Sequence, residues 1–173
     1  METTLKETTI SHLVKPEDLQ HHGTLFAGQM AKWLVESLFI SACRFIGKPE
    51  DIVCIQIHGL NFNTPINNGD IIQLKARVAH AGTKSVTCYG EAACEGDSTP
   101  RVTGMATFVT VDKNGKTYAH GFRLPDEYIE QNHRIYGEDY LKGEVVEGEL
   151  KAGDIAKKGE VASLVISSGE KCK

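Results

Sequence analysis

A long apolar helix, predicted over residues 28–46, constrains the fold of this chain more than any other feature. Its apolar side chains cover most of its circumference, and its polar side chains gather on one arc when about 100° is allowed per residue. Gly47 ends the helix and Pro49 lies just beyond it. A helix this apolar must be surrounded on most sides, so the rest of the chain has to wrap around it. The polar arc consists of Gln29, Lys32, Glu36, Ser37 and Arg44.

The segments on either side of this helix have the pattern of β-strands. Apolar alternation and the intervening turn residues predict strands over residues 8–15, 52–62, 71–81, 85–94 and 101–112. Asn68-Gly69 is the strongest local hairpin signal, and it favours consecutive strands that pair as an antiparallel meander. The sequence therefore predicts an α+β fold in which a curved antiparallel sheet wraps around one long central helix. The residues predicted to share one face of the third strand are Ile72, Leu74, Ala76 and Val78.

Composition narrows the class of protein. The 173 residues predict one domain with its own core, and the net charge of −4 argues against non-specific nucleic acid binding. The five scattered cysteines, without a Cys-x-x-Cys pair or zinc-ligand spacing, predict free thiols in a reducing compartment and no metal site. No apolar run approaches the ~20 residues that a membrane-spanning helix needs. We therefore expect a cytoplasmic protein without a nucleic acid or membrane partner.

The character of the sequence changes after Pro125. Residues 126–142 could form a short polar helix, and residues 143–160 are rich in Gly, Glu and Lys with little to bury, which predicts poor order. Residues 161–166 form a short apolar run. The expected division is a main domain over residues 1–125 and a polar C-terminal extension, partly helical or disordered, over residues 126–173.

The start of the long helix is the first candidate site. A polar loop over residues 20–23 leads to Gly28, where the predicted helix begins. Unpaired backbone N–H groups at the positive end of a helix dipole can bind an anion or stabilise an oxyanion as it forms. A carboxylate, Glu36, follows about two turns later.

The order of the motifs resembles that of a known family, the hot-dog-fold acyl-CoA thioesterases, in the branch of the cytoplasmic acyl-CoA hydrolases. The resemblance covers roughly residues 8–122. It rests on Val-Lys-Pro-Glu-Asp at 14–18, Gly-Thr-Leu-Phe-Ala-Gly at 23–28, Lys-Trp-Leu at 32–34, Asn-Phe-x-x-Pro-Ile-x-x-Gly-Asp at 61–70 and Gly-x-x-Ser-Val at 82–86.

The resemblance implies an acyl-CoA thioesterase that releases a free acid and CoA, with its site at a homodimer interface and dimers that assemble into tetramers or hexamers. No metal or redox cofactor is implied, since CoA is part of the substrate. The thioester carbonyl would be polarised by the N–H of Ala27, with Gly28 beside it, and Gln20 would place the attacking water. The family's acidic residue falls at Val35, so the resemblance leaves Glu36, about 100° further around the helix, as the candidate base.

The remaining site residues are also implied by the resemblance. Phe26, Met30 and Phe62 would line the acyl tunnel, and the loop over residues 82–85 would contact the pantetheine arm, with Thr83 or Lys84 reaching a phosphate. Lys75, Arg77 and Arg101 are further candidate phosphate ligands. The complete set of expected substrate-binding residues is His22, Thr24, Phe26, Met30, Phe62, Gly82, Thr83, Lys84 and Ser85.

Other interpretations stay open at this point. Glu36 lies four residues after Lys32, so a solvent-exposed ion pair would also explain it. The missing acid at Val35 favours a non-catalytic module that binds or senses acyl-CoA. A hydratase or lyase acting on an acyl-CoA would need a carboxylate–histidine dyad, to which His21 or His22 could contribute.

Overall fold

A computed structural model of the chain describes residues 7–129 and residue 132. One helix, α1, spans Ala27–Ile46. The five strands are β1 (Thr8–Leu13), β2 (Ile52–Phe62), β3 (Ile71–Ala81), β4 (Ser85–Cys94) and β5 (Val102–Thr110). Short 3-10 turns at Pro16–Asp18 and Pro49–Asp51 flank the helix at either end. The α+β fold, with one sheet and one long helix, confirms the prediction.

The strand order differs from the predicted meander. The sheet is antiparallel with the order β1-β3-β4-β5-β2, so β3, β4 and β5 form a meander but β2 pairs with β5 at the far edge. The Asn-Gly turn does not join paired strands, and that expectation was wrong. Gly69 does adopt the left-handed conformation, with φ +84°, but its N–H donates to the carbonyl of Val14 just after β1. Residues 63–70 therefore cross from one edge of the sheet to the other.

The helix packs against the sheet where the strands carry glycine. A Cβ at Gly90 would lie 2.8 Å from Cδ2 of Leu38, and one at Gly104 would lie 3.1 Å from Cδ2 of Leu34. Both leucines are fully buried. The missing side chains allow the close approach of α1 that the apolar helix requires. The predicted inward face of β3 is confirmed, because Ile72, Leu74, Ala76 and Val78 are all buried.

Contacts with β1 define the rotation of α1 about its axis. The ring of Trp33 stacks on His12 with 4.4 Å between centroids, and Nη1 of Arg44 donates to the Thr8 hydroxyl at 3.2 Å. Each residue of a helix is rotated by about 100° about the helix axis from the one before it, so Val35 lies roughly 170° from the side chains that face β1. Since β1 and β2 are the two edges of the sheet, Val35 lies on the side of the helix towards β2. Glu36 lies about 100° from Val35, on the exposed face that points away from the sheet.

The helix ends as its sequence predicts. Gly47 has φ 75°, and its N–H donates to the Cys43 carbonyl at 2.8 Å. Of the predicted C-terminal extension, the structure describes a helical turn at residues 126–129 and Asn132, whose amide donates to the Ala79 carbonyl at 2.8 Å. The predictions for residues 143–166 lie outside the described residues. Within the described part of the chain, no helix is long and apolar enough to cross a membrane.

Candidate active site

The start of α1 presents two backbone donors without an acceptor. The N–H groups of Ala27 and Gly28 have no hydrogen-bond partner among the described residues, and Phe26, at the N-cap, supplies no side-chain cap. The neighbouring donors are used: the N–H of Phe26 donates to the Asp18 carbonyl at 2.9 Å. The two free donors therefore lie at the positive end of a 20-residue helix, where a partial negative charge is stabilised.

A cleft of about 220 Å³ opens beside these donors. Ala27 lies on its wall, so a residue that carries one of the free amides lines the cleft. The cleft is lined by apolar and polar residues. The apolar residues are Leu25, Met30, Phe62, Pro65, Ile66 and Val102, and the polar residues are Asn63, Thr64 and the bonded pair Gln20 and Thr24, which forms the polar end. An apolar cleft with a few convergent polar groups is the usual form of a small-molecule site.

Gln20 and Thr24 form the polar end through a tight turn. The N–H of Gln20 donates to the Thr24 carbonyl at 2.8 Å, and the N–H of Gly23 donates to the Gln20 carbonyl at 2.9 Å. Gly23 has φ 79°, which its missing Cβ permits. The side-chain amide nitrogen of Gln20 also donates to the Thr24 hydroxyl at 2.8 Å. Two predicted site residues are thus joined directly, at the edge of the cleft.

The part of the cleft lining formed by Pro65 is held by an ion-pair cluster that the sequence did not identify. Nη1 of Arg101 donates to the Pro65 carbonyl at 2.9 Å and to Asp70 Oδ2 at 3.2 Å. Nε and Nη2 of Arg101 form a bidentate pair with Asp97, at 2.6 and 3.1 Å. The hydrogen bond from Arg101 lowers the pKa of Asp97. Arg101, a candidate phosphate ligand in the sequence, is instead committed to two carboxylates.

Phe26 and Gly28 are in contact at the N-terminus of the helix. A Cβ at Gly28 would overlap the edge of the Phe26 ring, so the ring lies against the helix start only because residue 28 is glycine. The ring is itself 54% exposed. Phe26 is therefore available to an apolar ligand, although it lies outside the lining of the cleft itself.

The two histidines of the loop lie outside the cleft. His21 and His22 are exposed, and their rings contact each other with 3.9 Å between centroids. Neither belongs to the cleft lining. Among the described residues, no group of His, Cys, Asp and Glu could hold a metal ion. The expected role of His22 in substrate binding stays a prediction.

The predicted CoA-contacting loop lies at the other end of the molecule. Val86, which follows this loop, packs in the same core cluster as Phe45 and Ile46 at the end of α1. The helix has 20 residues and so spans about 30 Å, which separates residues 82–85 from the free amides of the same chain. The loop carbonyls are occupied: Thr83 and Ser85 accept from His120, and Lys84 accepts from the Thr110 N–H. The Thr83 and Lys84 side chains are exposed.

Glu36 is also distant from the free amides of its own chain. Nine residues separate it from Ala27, which places it about 13 Å further along the helix axis, beyond the reach of a glutamate side chain. It is exposed, and the described residues form no ion pair with it, so the alternative explanation by a pair with Lys32 finds no support. One chain thus brings together Gln20, Thr24, Ala27, Met30 and Phe62, but neither Glu36 nor the loop over residues 82–85.

Part of the chain is similar to known proteins. Residues 22–100 match the Thioesterase superfamily. Over 107 residues the chain is 30% identical to the uncharacterized acyl-CoA thioester hydrolase YkhA of Bacillus subtilis, which covers 60% of this chain and 61% of that protein. It is also 30% identical to acyl-coenzyme A thioesterase 11 of Mus musculus over 107 residues. That alignment covers 60% of this chain and 18% of the mouse protein. The chain therefore spans less than two thirds of both relatives.

Solved structures share the fold. An apo-hexameric acyl-CoA thioesterase superposes with a TM-score of 0.65 at 24% identity, covering 75% of this chain and 85% of that one. The acyl-CoA hydrolase of Staphylococcus aureus, solved with butyryl coenzyme A, coenzyme A and coenzyme A disulfide, gives 0.62 at 25% identity with the same coverage. The chain thus has the predicted hot-dog fold, in which an antiparallel sheet wraps around one helix.

Proposed function

We propose that this chain, of which residues 22–100 match the Thioesterase superfamily, is an acyl-CoA thioesterase that hydrolyses acyl-CoA to a free acid and CoA. The observation that carries the proposal is the pair of unpartnered N–H groups at Ala27 and Gly28, beside an apolar cleft with Gln20 at its polar end. The relatives named above as acyl-CoA thioester hydrolases support the same activity.

The chemistry follows from these groups. The oxygen of a water molecule attacks the thioester carbonyl carbon, and the carbonyl electron pair moves onto the oxygen. The N–H groups of Ala27 and Gly28 stabilise that oxyanion, and one such donor contributes about 10²–10³ in rate in other acyl-transfer enzymes. When the intermediate collapses, the C–S bond breaks, CoA leaves as the thiolate and is protonated, and the acid is released. The proton lost by the water passes to a base.

In this proposal Gln20 positions the attacking water and Glu36 acts as the base. The side-chain oxygen of Gln20 accepts a hydrogen bond from the attacking water and holds it in place. Because about 13 Å separates Glu36 from Ala27 along one helix, Glu36 can serve as base only for the thioester bound by the second subunit. In that position the Glu36 carboxylate would accept the proton that the attacking water loses.

A homodimer that completes the site is part of the proposal. Strand β2 is the edge of the sheet, and its exposed apolar side chains include Val53 (45% exposed), Ile57 (36%) and Phe62 (48%). A free edge with exposed apolar residues is suited to pairing with a second copy. The second copy would bring its own residues 82–85 and Glu36 towards the amides. We further propose that dimers assemble into tetramers or hexamers, as the hexameric state of one structural neighbour suggests.

The reaction needs no cofactor beyond the CoA portion of the substrate, and we propose a cytoplasmic location. The support for this location is the state of the cysteines. Cys43, Cys54, Cys88 and Cys94 are free in the described part of the chain. Free thiols are the norm in a reducing compartment.

A second candidate function is a non-catalytic module that binds acyl-CoA. The observation that favours it is the position of Val35 on the side of α1 that faces β2, where the resemblance expects an acid. Glu36 points away from the sheet instead. The hydratase or lyase alternative has no such support, because His21 and His22 are exposed and outside the cleft lining.

One experiment separates these functions. The purified chain is incubated with acyl-CoAs from acetyl- to palmitoyl-CoA, and free thiol is followed together with binding by calorimetry. Thiol release at a rate above the protein-free control supports hydrolysis. Binding without thiol release contradicts the proposal and supports the binding module.

A further inference from the structure

We infer that Thr24 is a positioning residue for hydrolysis: its hydroxyl fixes the Gln20 side chain so that the amide oxygen of Gln20 faces the attacking water. The inference rests on the proposed function and deepens it. The resemblance assigns Thr24 to substrate binding, whereas the hydrogen bond to Gln20 gives it a different role. It acts on the reaction through another side chain and touches no reacting atom.

The geometry places both groups at the same end of the cleft. Both residues line the cleft, and the Gln20 amide nitrogen lies 2.8 Å from the Thr24 hydroxyl oxygen. The amide group is planar, so anchoring its nitrogen also fixes the direction of its oxygen. That oxygen makes no hydrogen bond with any described residue, which leaves both of its lone pairs available to a ligand or a water molecule.

Thr24 can hold Gln20 because its own position is fixed. Its carbonyl accepts from the Gln20 N–H at 2.8 Å, and its backbone forms an antiparallel bridge with Asn67. The next residue, Leu25, donates its N–H to the Ile66 carbonyl at 2.8 Å. The backbone at Thr24 is thus held from two sides. A free glutamine side chain has several accessible rotamers, and one hydrogen bond to a fixed hydroxyl selects among them.

The backbone of the turn does not depend on the Thr24 hydroxyl. The turn is already closed by the backbone bonds between Gln20, Gly23 and Thr24. Removal of the hydroxyl should leave the turn intact and release only the Gln20 side chain. The predicted defect is in catalysis and not in the fold.

The test is a set of four variants. Thr24→Val removes the hydroxyl at nearly constant volume, and Thr24→Ser retains it. Gln20→Ala removes the group that is positioned, and Thr9→Val makes the same valine change on the exposed surface of β1, away from the cleft. We expect Thr24→Val to lower kcat about tenfold, because the variant loses one hydrogen bond that positions Gln20, and to leave KM unchanged. Thr24→Ser, which restores the hydroxyl, should have a kcat well above that of Thr24→Val, and Thr9→Val should keep the wild-type kcat.

Non-additivity gives the sharper result. If Thr24 acts through Gln20, the double variant Gln20→Ala, Thr24→Val should have the kcat of Gln20→Ala alone. Independent, multiplicative losses would overturn the inference, as would a wild-type kcat in Thr24→Val. If Thr24→Val loses its cooperative thermal transition, Thr24→Ala takes its place in the same cycle.

A second readout does not depend on activity. In a ¹⁵N spectrum, the hydrogen-bonded side-chain amide proton of Gln20 should resonate away from its free value in the wild type and in Thr24→Ser. It should return to the free value in Thr24→Val. Unchanged Gln20 amide shifts in Thr24→Val would overturn the inference even if the protein hydrolyses nothing. Absence of thiol release from the wild type would instead contradict the proposed function alone.

Discussion

The two ends of the central helix use their polar groups in opposite ways. At its end, Gly47 closes the last turn onto Cys43, and the nearby carbonyls of residues 83–85 all accept hydrogen bonds. At its start, the N–H groups of Ala27 and Gly28 have no described partner and lie beside the cleft. The first N–H groups of a helix have no acceptor within the helix and lie at its positive end, so this is the end where a ligand oxygen can bind. The contrast separates the part of the molecule that maintains the fold from the part available for chemistry.

The most damaging change should be the removal of one free amide. Ala27→Pro deletes the Ala27 N–H at the first helical position, where proline is tolerated, and Phe26 already has the extended conformation (φ −67°, ψ 128°) that precedes proline. We expect kcat to fall by about 10²–10³ with an unchanged circular dichroism spectrum. Ala31→Pro, within the helix, is the contrasting variant and should unfold it. A wild-type kcat in Ala27→Pro would rule out an oxyanion role for that amide.

A pair of helix substitutions should have the next largest effect. Glu36→Ala should lower kcat about 100-fold as a lost general base, without weakening CoA binding. Val35→Asp in the same background should restore part of the rate, because position 35 lies on the β2-facing side of α1. Stopped assays of thiol release with calorimetric CoA binding measure both effects. Unchanged turnover in Glu36→Ala would remove that carboxylate from the mechanism. The control is Glu50→Ala, which removes an exposed carboxylate outside the cleft.

The ion-pair cluster behind the cleft should matter less than the site itself. Arg101→Met leaves Asp70 and Asp97 without their cation and frees the Pro65 carbonyl. We expect the melting temperature to fall by about 3 °C and KM to rise, since the cleft wall loses its support. Scanning calorimetry and steady-state kinetics report the two changes. The control Arg123→Met, at an exposed arginine, should alter neither the melting temperature nor KM. An unchanged KM in Arg101→Met would show that the ion-pair cluster does not support the cleft wall.

The smallest expected effect concerns pH. Burial lowers the pKa of His58, whose Nε2 lies 2.5 Å from the Thr107 hydroxyl. The folded state therefore favours the neutral imidazole, and stability is lost as the pH falls below the ordinary pKa of about 6.5, because the unfolded chain then binds the proton more readily. His58→Gln should show a smaller drop in melting temperature than the wild type between pH 7.5 and about 5.5. An identical drop in both proteins would contradict this assignment.

The sequence predicted local structure better than strand pairing. Helix and strand ends follow from glycine, proline and apolar periodicity, which act within a few residues, so α1 begins at Ala27 against a predicted 28. The pairing of β2 with β5 depends on contacts between residues about 50 positions apart. Periodicity fixes which face of a strand is buried but not which strand lies beside it. A turn signal at Asn68-Gly69 was therefore a poor guide to the neighbour of β2.

The site was predictable only where it is local. The free amides at the helix start follow from the loop–helix junction, and Gln20 lies within that same segment. The pair between Arg101 and Asp97 joins residues four apart, whereas the contact of Arg101 with Asp70 joins residues 31 apart, a proximity that no local spacing encodes. The bond between Gln20 and Thr24 was within reach of the sequence, because Gly23 allows a turn that brings these two residues together.

In the proposed mechanism the amides of Ala27 and Gly28 receive the thioester oxygen. A ¹⁵N–¹H titration of the protein with an acyl-CoA analogue in which a ketone replaces the thioester tests this directly. We expect the Ala27 and Gly28 amide protons to shift furthest downfield as they bind the ketone oxygen. Saturable binding that leaves both amide protons unshifted would contradict it.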